Sequence, residues 1–239
     1  ARAPGPRAAA PRLRGALMAA QVRPAEDTEL PAAASMFIGS FFSGMEVPAP
    51  QLQRLEREQL ADMKRRYGDV AAQSRRFPAE LLVAVEGGEF VGCVGVEAQV
   101  VDERFGLVKR PSVYVEPEDC TPVISNLAVR PDQRRRGLGA LLVRAAERSA
   151  REWGYDRAAL LVDEENVGAR RLYARLGYRD VFEDAGATRV VPGKWRLQEE
   201  DCVNVCMRRE LAGAGAGLAL PEVLAGLGER LRLFQGGNA

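Results

Sequence analysis

Three arginines in succession, Arg134, Arg135 and Arg136, run into Gly137-Leu138-Gly139-Ala140 just where a helix-spaced apolar pattern begins. The first N–H groups of a helix have no partners inside it and sit at the positive end of its dipole, so they favour an anion. Glycines at 137 and 139 let that anion approach the backbone closely. Guanidinium groups add charge-assisted hydrogen bonds. The spacing suits the holding of a pyrophosphate, although a plain turn with solvated arginines fits the stretch nearly as well. Neither Gly-x-x-x-x-Gly-Lys-Ser/Thr nor a helix-opening Gly-x-Gly-x-x-Gly occurs, so a nucleotide P-loop and a dinucleotide fold are not expected. Histidine is absent, which removes a histidine base, a histidine-containing triad and a histidine-ligated metal together. Cys93, Cys120, Cys202 and Cys206 include no Cys-x-x-Cys pair; the last two share a strand face and read as reduced core residues.

The elements that must position this turn follow from periodicity. Val123 to Val129 reads as a buried strand. The helix after the turn carries Leu138, Leu141, Leu142, Ala145, Ala146, Ser149 and Trp153 on one face. Arg144, Glu147, Arg148 and Arg151 point away, with Glu147 and Arg151 spaced as an i, i+4 pair. A strand over Ala158 to Val162 follows, then a helix opened by Asn166 and closed by Gly177. Asn166 suits a helix N-cap, and Ala169, Leu172, Tyr173 and Leu176 form its apolar stripe. Upstream, a short strand over Gln21 to Pro24 precedes a helix capped by Asp27 or Thr28 and running through Phe42. A second helix spans Gln51 to about Val70. Strands over Leu81 to Val85 and Phe90 to Ala98 flank a Gly87-Gly88 hairpin turn. Residues 99–120 are an insertion, either a flap over an acceptor or a surface loop. Downstream come a strand from Tyr178 to Phe182, a loop through Pro192 and Trp195, and a strand over Cys202 to Arg208. A Gly/Ala linker then leads to an amphipathic helix over residues 221–234, which packs on the domain or docks a partner.

Arg134-x-x-Gly137-x-Gly139 resembles the acetyl-CoA pyrophosphate loop of the GNAT N-acetyltransferase superfamily. Asn166-x-x-Ala169-x-x-Leu172-Tyr173-x-x-Leu176-Gly177-Tyr178 resembles that family's next motif, at the expected distance. The strong resemblance covers Val123 to Val181, and a weaker one Leu81 to Arg209. Trp153-Gly154-Tyr155, Gly168 to Tyr173, and Pro192-x-x-Trp195 with the final strand look most like plastid members. The resemblance implies an α/β fold with a central mixed, mostly antiparallel sheet, flanked by helices and splayed at the acetyl-CoA site. Pantetheine would lie in the splay on backbone groups of Leu127, Ala128 and Val129. The pyrophosphate would meet Arg134, Arg135, Arg136, Gly137, Leu138, Gly139 and Ala140, with Asn166, Ala169 and Tyr173 completing the cofactor site. A backbone N–H near Leu127 would stabilise the oxyanion, and Tyr173 would protonate the leaving thiolate. The position that carries a glutamate base in some relatives is Leu161, so Glu97, Glu116, Glu118, Asp119 or a backbone-bound water would serve.

The activity so implied is transfer of acetyl from acetyl-CoA to protein N-terminal α-amines, with lysine ε-amines as further acceptors. Two alternatives stay open: a small-molecule amine acetyltransferase, and a catalytically weak fold serving as a binding or assembly module. At 239 residues and 46% apolar, the chain can bury one substantial core, expected over residues 24–210. A net charge of +1 gives no case for nucleic acid, and no apolar run is long enough for a membrane span. Residues 1–23 are Arg-rich with no acid, the composition of a transit peptide or a disordered tail. With the plastid-like resemblance, this predicts a chloroplast location. Residues 211–239 form the linker and terminal helix outside the domain.

Overall fold

The computed structural model describes residues 20–102, 106–107, 116, 119–193 and 196–211. Among the described residues, five α-helices and eight strands follow in this order: β1 (Gln21–Pro24), α1 (Leu30–Phe41), α2 (Ala49–Tyr67), α3 (Asp69–Ser74), β2 (Ala79–Glu86), β3 (Glu89–Asp102), β4 (Gly106–Leu107), β5 (Cys120–Val129), α4 (Leu138–Glu152), β6 (Arg157–Asp163), α5 (Val167–Arg175), β7 (Arg179–Pro192) and β8 (Leu197–Glu210). The sheet runs β1-β2-β3-β5-β6-β8-β7, with two-residue β4 pairing beside β3. Every neighbouring pair is antiparallel except β5–β6, which is parallel and joins only Val123 to Ala159 and Ile124 to Leu160.

Strand alternation sorts the core into two layers. Leu82, Val94, Val96, Ile124, Leu160 and Val205 face α4 and α5, where Leu142, Val143, Ala146 and Tyr173 cover them. Leu81, Val83, Cys93 and Ala128 face the other way, beneath Leu30, Ala33, Ala34 and Met63 of α1 and α2. Full burial of side chains such as Leu142 or Met63 stabilises by roughly 1.5–3 kcal/mol each. Gly87 and Gly88 both take positive φ, 61° and 84°, as a two-residue β2–β3 turn of matching twist requires.

Several elements differ from the sequence reading. Leu141 is 37% exposed, whereas Val143 and Ala150 are buried, so the covered arc of α4 is rotated. Glu147 is only 2% exposed, and pairs with Arg209 of β8 at 2.8 and 2.9 Å rather than with Arg151 on the surface. The helix is covered by the sheet on one side and by the Arg209 side chain reaching over from β8. A 3-10 turn over Asp27–Glu29 precedes α1, and Glu26 with Glu29 forms the capping box in place of Asp27 or Thr28. The strand expected to stop at Phe182 continues to Pro192, and β8 starts at Leu197 rather than Cys202. Residues such as Glu183, Asp184, Glu199, Glu200 and Asp201 look like loop, yet they form a ladder that runs to Pro192↔Leu197. Cys202 is half-buried while Cys206 is buried. The short strand expected over Gln21 to Pro24 is β1, and Leu211 just past residue 210 is buried. Residues 99–102 extend β3. Most of the rest of the insertion lies outside the described residues, as do 1–19 and the helix expected over 221–234.

Candidate active site

The gap between β5 and β6 begins with a bulge. Cys93 pairs with Ala128 and Gly95 with Ser125, so Asn126 and Leu127 together oppose Val94. Asn126 takes φ 52°, a left-handed conformation that asparagine tolerates better than most residues. Past Ile124, β5 has no ladder partner on its β6 side among the described residues. Arg130 N–H donates to Val91 O at 3.0 Å, toward β3. Alternate residues of a strand address opposite edges, so Leu127 and Val129 address the open edge. Ala128 does not: a Cβ added to Gly92 would stand 2.9 Å from the Ala128 carbonyl oxygen, which therefore lies on the β3 side. The extra residue of the bulge shifts the alternation, and the three backbone groups expected at the gap become two.

The turn before α4 divides its arginines among three tasks. Arg134 donates from Nη2 to Ser40 O at 2.6 Å and from Nε to Val129 O at 3.1 Å, tying α1 to the end of β5. Arg136 pairs with Glu86 at 2.8 and 2.9 Å, which holds that carboxyl below its ordinary range. Arg135 is exposed, takes φ 64°, and meets no partner among the described residues. The expectation that all three arginines address a phosphate is thus narrowed, because two are already engaged by protein groups. Gly137 is the N-cap at φ 88°, with nothing within 4 Å of an added Cβ. No side chain caps α4, and Leu141 N–H returns to Gly137 O. The N–H groups of Leu138, Gly139 and Ala140 therefore lie outside the helical ladder. An added Cβ on Gly139 would stand 3.2 Å from Leu172 Cδ2, so its smallness also serves the α4–α5 contact.

Asn166 caps α5: its Oδ1 accepts from Ala169 N–H at 3.1 Å, and Ala169 is half-buried against the core. Tyr173, on the next turn but one, is 7% exposed with its ring edge-on to Tyr178 at 6.0 Å. Burial pushes its hydroxyl up to about 12. It stays protonated at neutral pH and can donate. The Tyr178 hydroxyl is buried, and burial first, then the neighbouring Glu147 carboxylate, holds it above its usual range.

A polar network lies on the opposite side of the bulge, under α2. Glu97 accepts from Arg66 Nε at 2.8 Å and from Gln99 Nε2 at 2.7 Å. Arg66 Nη2 also donates to Ser125 Oγ at 3.1 Å. The Tyr67 hydroxyl stands 3.2 Å from Ser125 Oγ and accepts from Asn126 Nδ2 at 3.3 Å, while Gln59 reaches Asn126 Oδ1 at 3.4 Å. A Cβ on Gly95 would fall 2.2 Å from the Tyr67 hydroxyl. Sequence reasoning missed this network; a glycine inside the strand, Val94-Gly95-Val96, was the signal for a close approach. Of the other carboxylates considered, Glu116 and Asp119 bond each other's backbone in a turn, and Glu118 lies outside the described residues. Leu161 is half-buried on β6. The β7–β8 tip reaches α2: Gln51 Nε2 donates to Gly193 O at 2.9 Å, and Leu197 packs beside Ile38, Phe42 and Leu55.

The bulged β5, its splay from β6, and the uncapped α4 after a glycine turn define an acyltransferase fold. The chain belongs to the GNAT acetyltransferase family, whose model matches residues 47–178, more than half of its length. Acetyl-CoA is the cosubstrate of that family. Among curated relatives, GCN5-related N-acetyltransferase 4, chloroplastic, of Arabidopsis thaliana is 40% identical over 65 residues, which is 27% of this chain and 22% of that protein. Among solved structures, the PaiA N-acetyltransferase of Thermoplasma acidophilum in complex with coenzyme A aligns with TM-score 0.53 at 14% identity, covering 81% of this chain and 99% of that one. Ribosomal-protein-alanine N-acetyltransferase of Brucella melitensis aligns with TM-score 0.53 at 18% identity, covering 80% and 99%. At such identities these structures share the fold. No helix among the described residues is long and apolar enough to cross a membrane.

Proposed function

We propose that this chain transfers acetyl from acetyl-CoA to the α-amines of protein N-termini, in the plastid. The observation that carries the acceptor class is the engagement of Glu97. This carboxylate, two residues from Gly95, is already paired with Arg66 and bonded by Gln99. An α-amine with a pKa near ~8 is partly neutral at physiological pH, whereas a lysine near ~10.4 needs a positioned base. The plastid location rests on the partial match to the chloroplastic relative and on the acid-free N-terminal composition.

Acetyl-CoA supplies an activated acetyl thioester. Arg135 and the N–H groups of Leu138, Gly139 and Ala140 bind the pyrophosphate. Backbone groups of Leu127 and Val129 orient the pantetheine arm along the open edge. The Leu127 N–H donates to the carbonyl oxygen as negative charge develops there. The neutral amine attacks the acetyl carbon, the C–S bond breaks, the Tyr173 hydroxyl donates its proton to the departing sulfur, and the proton released by the amine nitrogen passes through water to restore the phenol. Asn166 and Ala169 hold Tyr173 in place by starting α5. The test is acetyl-CoA consumption by the full chain with a peptide pool, with products mapped by mass spectrometry. Acetylated α-amines are expected. Products confined to lysines, or turnover on small amines alone, would overturn this acceptor.

A further inference from the structure

We infer that Tyr67 is a positioning residue for acetyl transfer: its hydroxyl, seated over Gly95, sets the β5 bulge and with it the direction of the Leu127 N–H. The inference rests on the proposed role of that N–H. Tyr67 is the last residue of α2, and its hydroxyl touches both Ser125, just before the bulge, and Asn126, within it. Asn126 is held in a left-handed conformation, and its side chain is gripped from both ends, by Tyr67 and by Gln59. Rotation of that peptide would turn the following N–H, which belongs to Leu127. Ser125 is pinned from a second direction by Arg66, itself fixed by Glu97. Every residue that holds the bulge from this side therefore comes from α2 or β3.

Gly95 supplies an independent mark. An added Cβ there would stand 2.2 Å from the Tyr67 hydroxyl and 2.7 Å from its Cζ, so the seat exists only because residue 95 has no side chain. The matched pair, an aromatic hydroxyl and a glycine floor beneath it, is more than core packing requires: the ring could pack on a larger strand residue if its hydroxyl were not needed at the bulge. Burial holds the hydroxyl protonated, which suits a hydrogen-bonding post rather than a base.

The test is Tyr67→Phe, which keeps the ring, measured on whichever amine the wild-type chain acetylates. The kcat is expected to fall about tenfold with the acetyl-CoA KM within about twofold, since a displaced donor weakens transfer more than binding. The pH profile keeps its shape. Asn126→Gly retains the left-handed backbone without the amide, and adding it to Tyr67→Phe is expected to lose little more than the worse single variant. In a ligand-free spectrum, Tyr67→Phe should move the Leu127 amide resonance, a readout independent of the acceptor. Wild-type kcat, multiplying losses in the double variant, or an unmoved Leu127 resonance would each overturn the inference. A wild-type chain that acetylates only small amines would overturn the acceptor class and leave this ratio measurable.

Discussion

Tyr173→Phe separates the structural and chemical parts of the site in one variant. Burial raises the Tyr173 hydroxyl to about 12 from an ordinary ~10. The buried environment favours the neutral phenol, so the folded value lies above the unfolded one. The stabilising contribution is complete below pH ~10 and is lost as pH rises toward 12. The full loss is on the order of 3 kcal/mol, about half of it by pH 11. Phenylalanine fills the same volume and has nothing to ionise. Among the described residues no hydrogen bond reaches the Tyr173 hydroxyl, so stability at pH 7 should change by less than about 1 kcal/mol. Urea midpoints read by circular dichroism at pH 7, 9 and 11 give the comparison. The wild-type curve should drop by ~0.7 M more than the variant's by pH 11, taking ~2 kcal/mol/M for the slope. In the same variant kcat should fall on the order of 10²-fold, the low end for a lost general acid, with the acetyl-CoA KM nearly kept. Parallel midpoints from pH 7 to 11 would refute the burial of the hydroxyl. Unchanged kcat would refute the acid role.

Other substitutions address the remaining parts. Glu147→Ala leaves the Arg209 guanidinium, with a side chain 32% exposed, beside an empty partner position; a loss of about 2–3 kcal/mol in urea unfolding is expected, below the range for fully buried pairs. Gly137→Asp places a carboxylate at the open end of α4 and asks a residue with a side chain to hold φ 88°; calorimetry should find coenzyme A binding abolished, and unchanged affinity would remove the site from this turn. Arg134→Ala and Arg135→Ala should differ: loss of the Arg134 tie between Ser40 and Val129 lowers Tm by about 2–4 °C, while loss of Arg135 leaves Tm unchanged and weakens acetyl-CoA binding in a salt-dependent way. Equal behaviour of the two would refute the division of roles.

The central βαβα stretch was legible because its signals are local. A glycine turn before a leucine stripe, and an asparagine three residues before the alanine whose N–H it receives, fix α4 and α5 within a residue or two. The inner strands of the β7–β8 ladder were read from sequence, but its outer part, from Glu183 to Asp201, was not legible, since acidic and polar residues there give little apolar alternation and each strand is stabilised chiefly by the other. The partner of Glu147 was equally hidden. Its spacing to Arg151 was visible in sequence, whereas Arg209 is 62 residues away and meets it only through the β6–β8 register. At the site, the turn glycines and Tyr173 announced themselves by motif. Tyr67, Arg66 and Asn126 did not, because their meeting depends on where α2 ends above a bulge whose register no local pattern records. Periodicity likewise could not show that the bulge turns Ala128 toward β3.

The two-rung parallel junction of β5 and β6 also makes the sheet a book with a spine. One cover is β1-β2-β3-β5, the other is β6-β8-β7, and each is stitched internally by long antiparallel ladders. On one side α4 lies across the binding, touching β2, β3 and β5 as well as β6. On the other side α1 and α2 rest on the first cover, and the β7–β8 tip of the second touches α2 at Gln51. The crease is therefore bound along one face and latched on the other by the β7–β8 tip, where Gln51 meets Gly193 and Leu197 meets Ile38, Phe42 and Leu55. Opening at the latch breaks few hydrogen bonds and leaves both covers folded, which is the condition for a low-energy sub-global opening. A molecule lying in the crease with a backbone-like arm against β5 would be the missing stitch, completing the sheet across the gap.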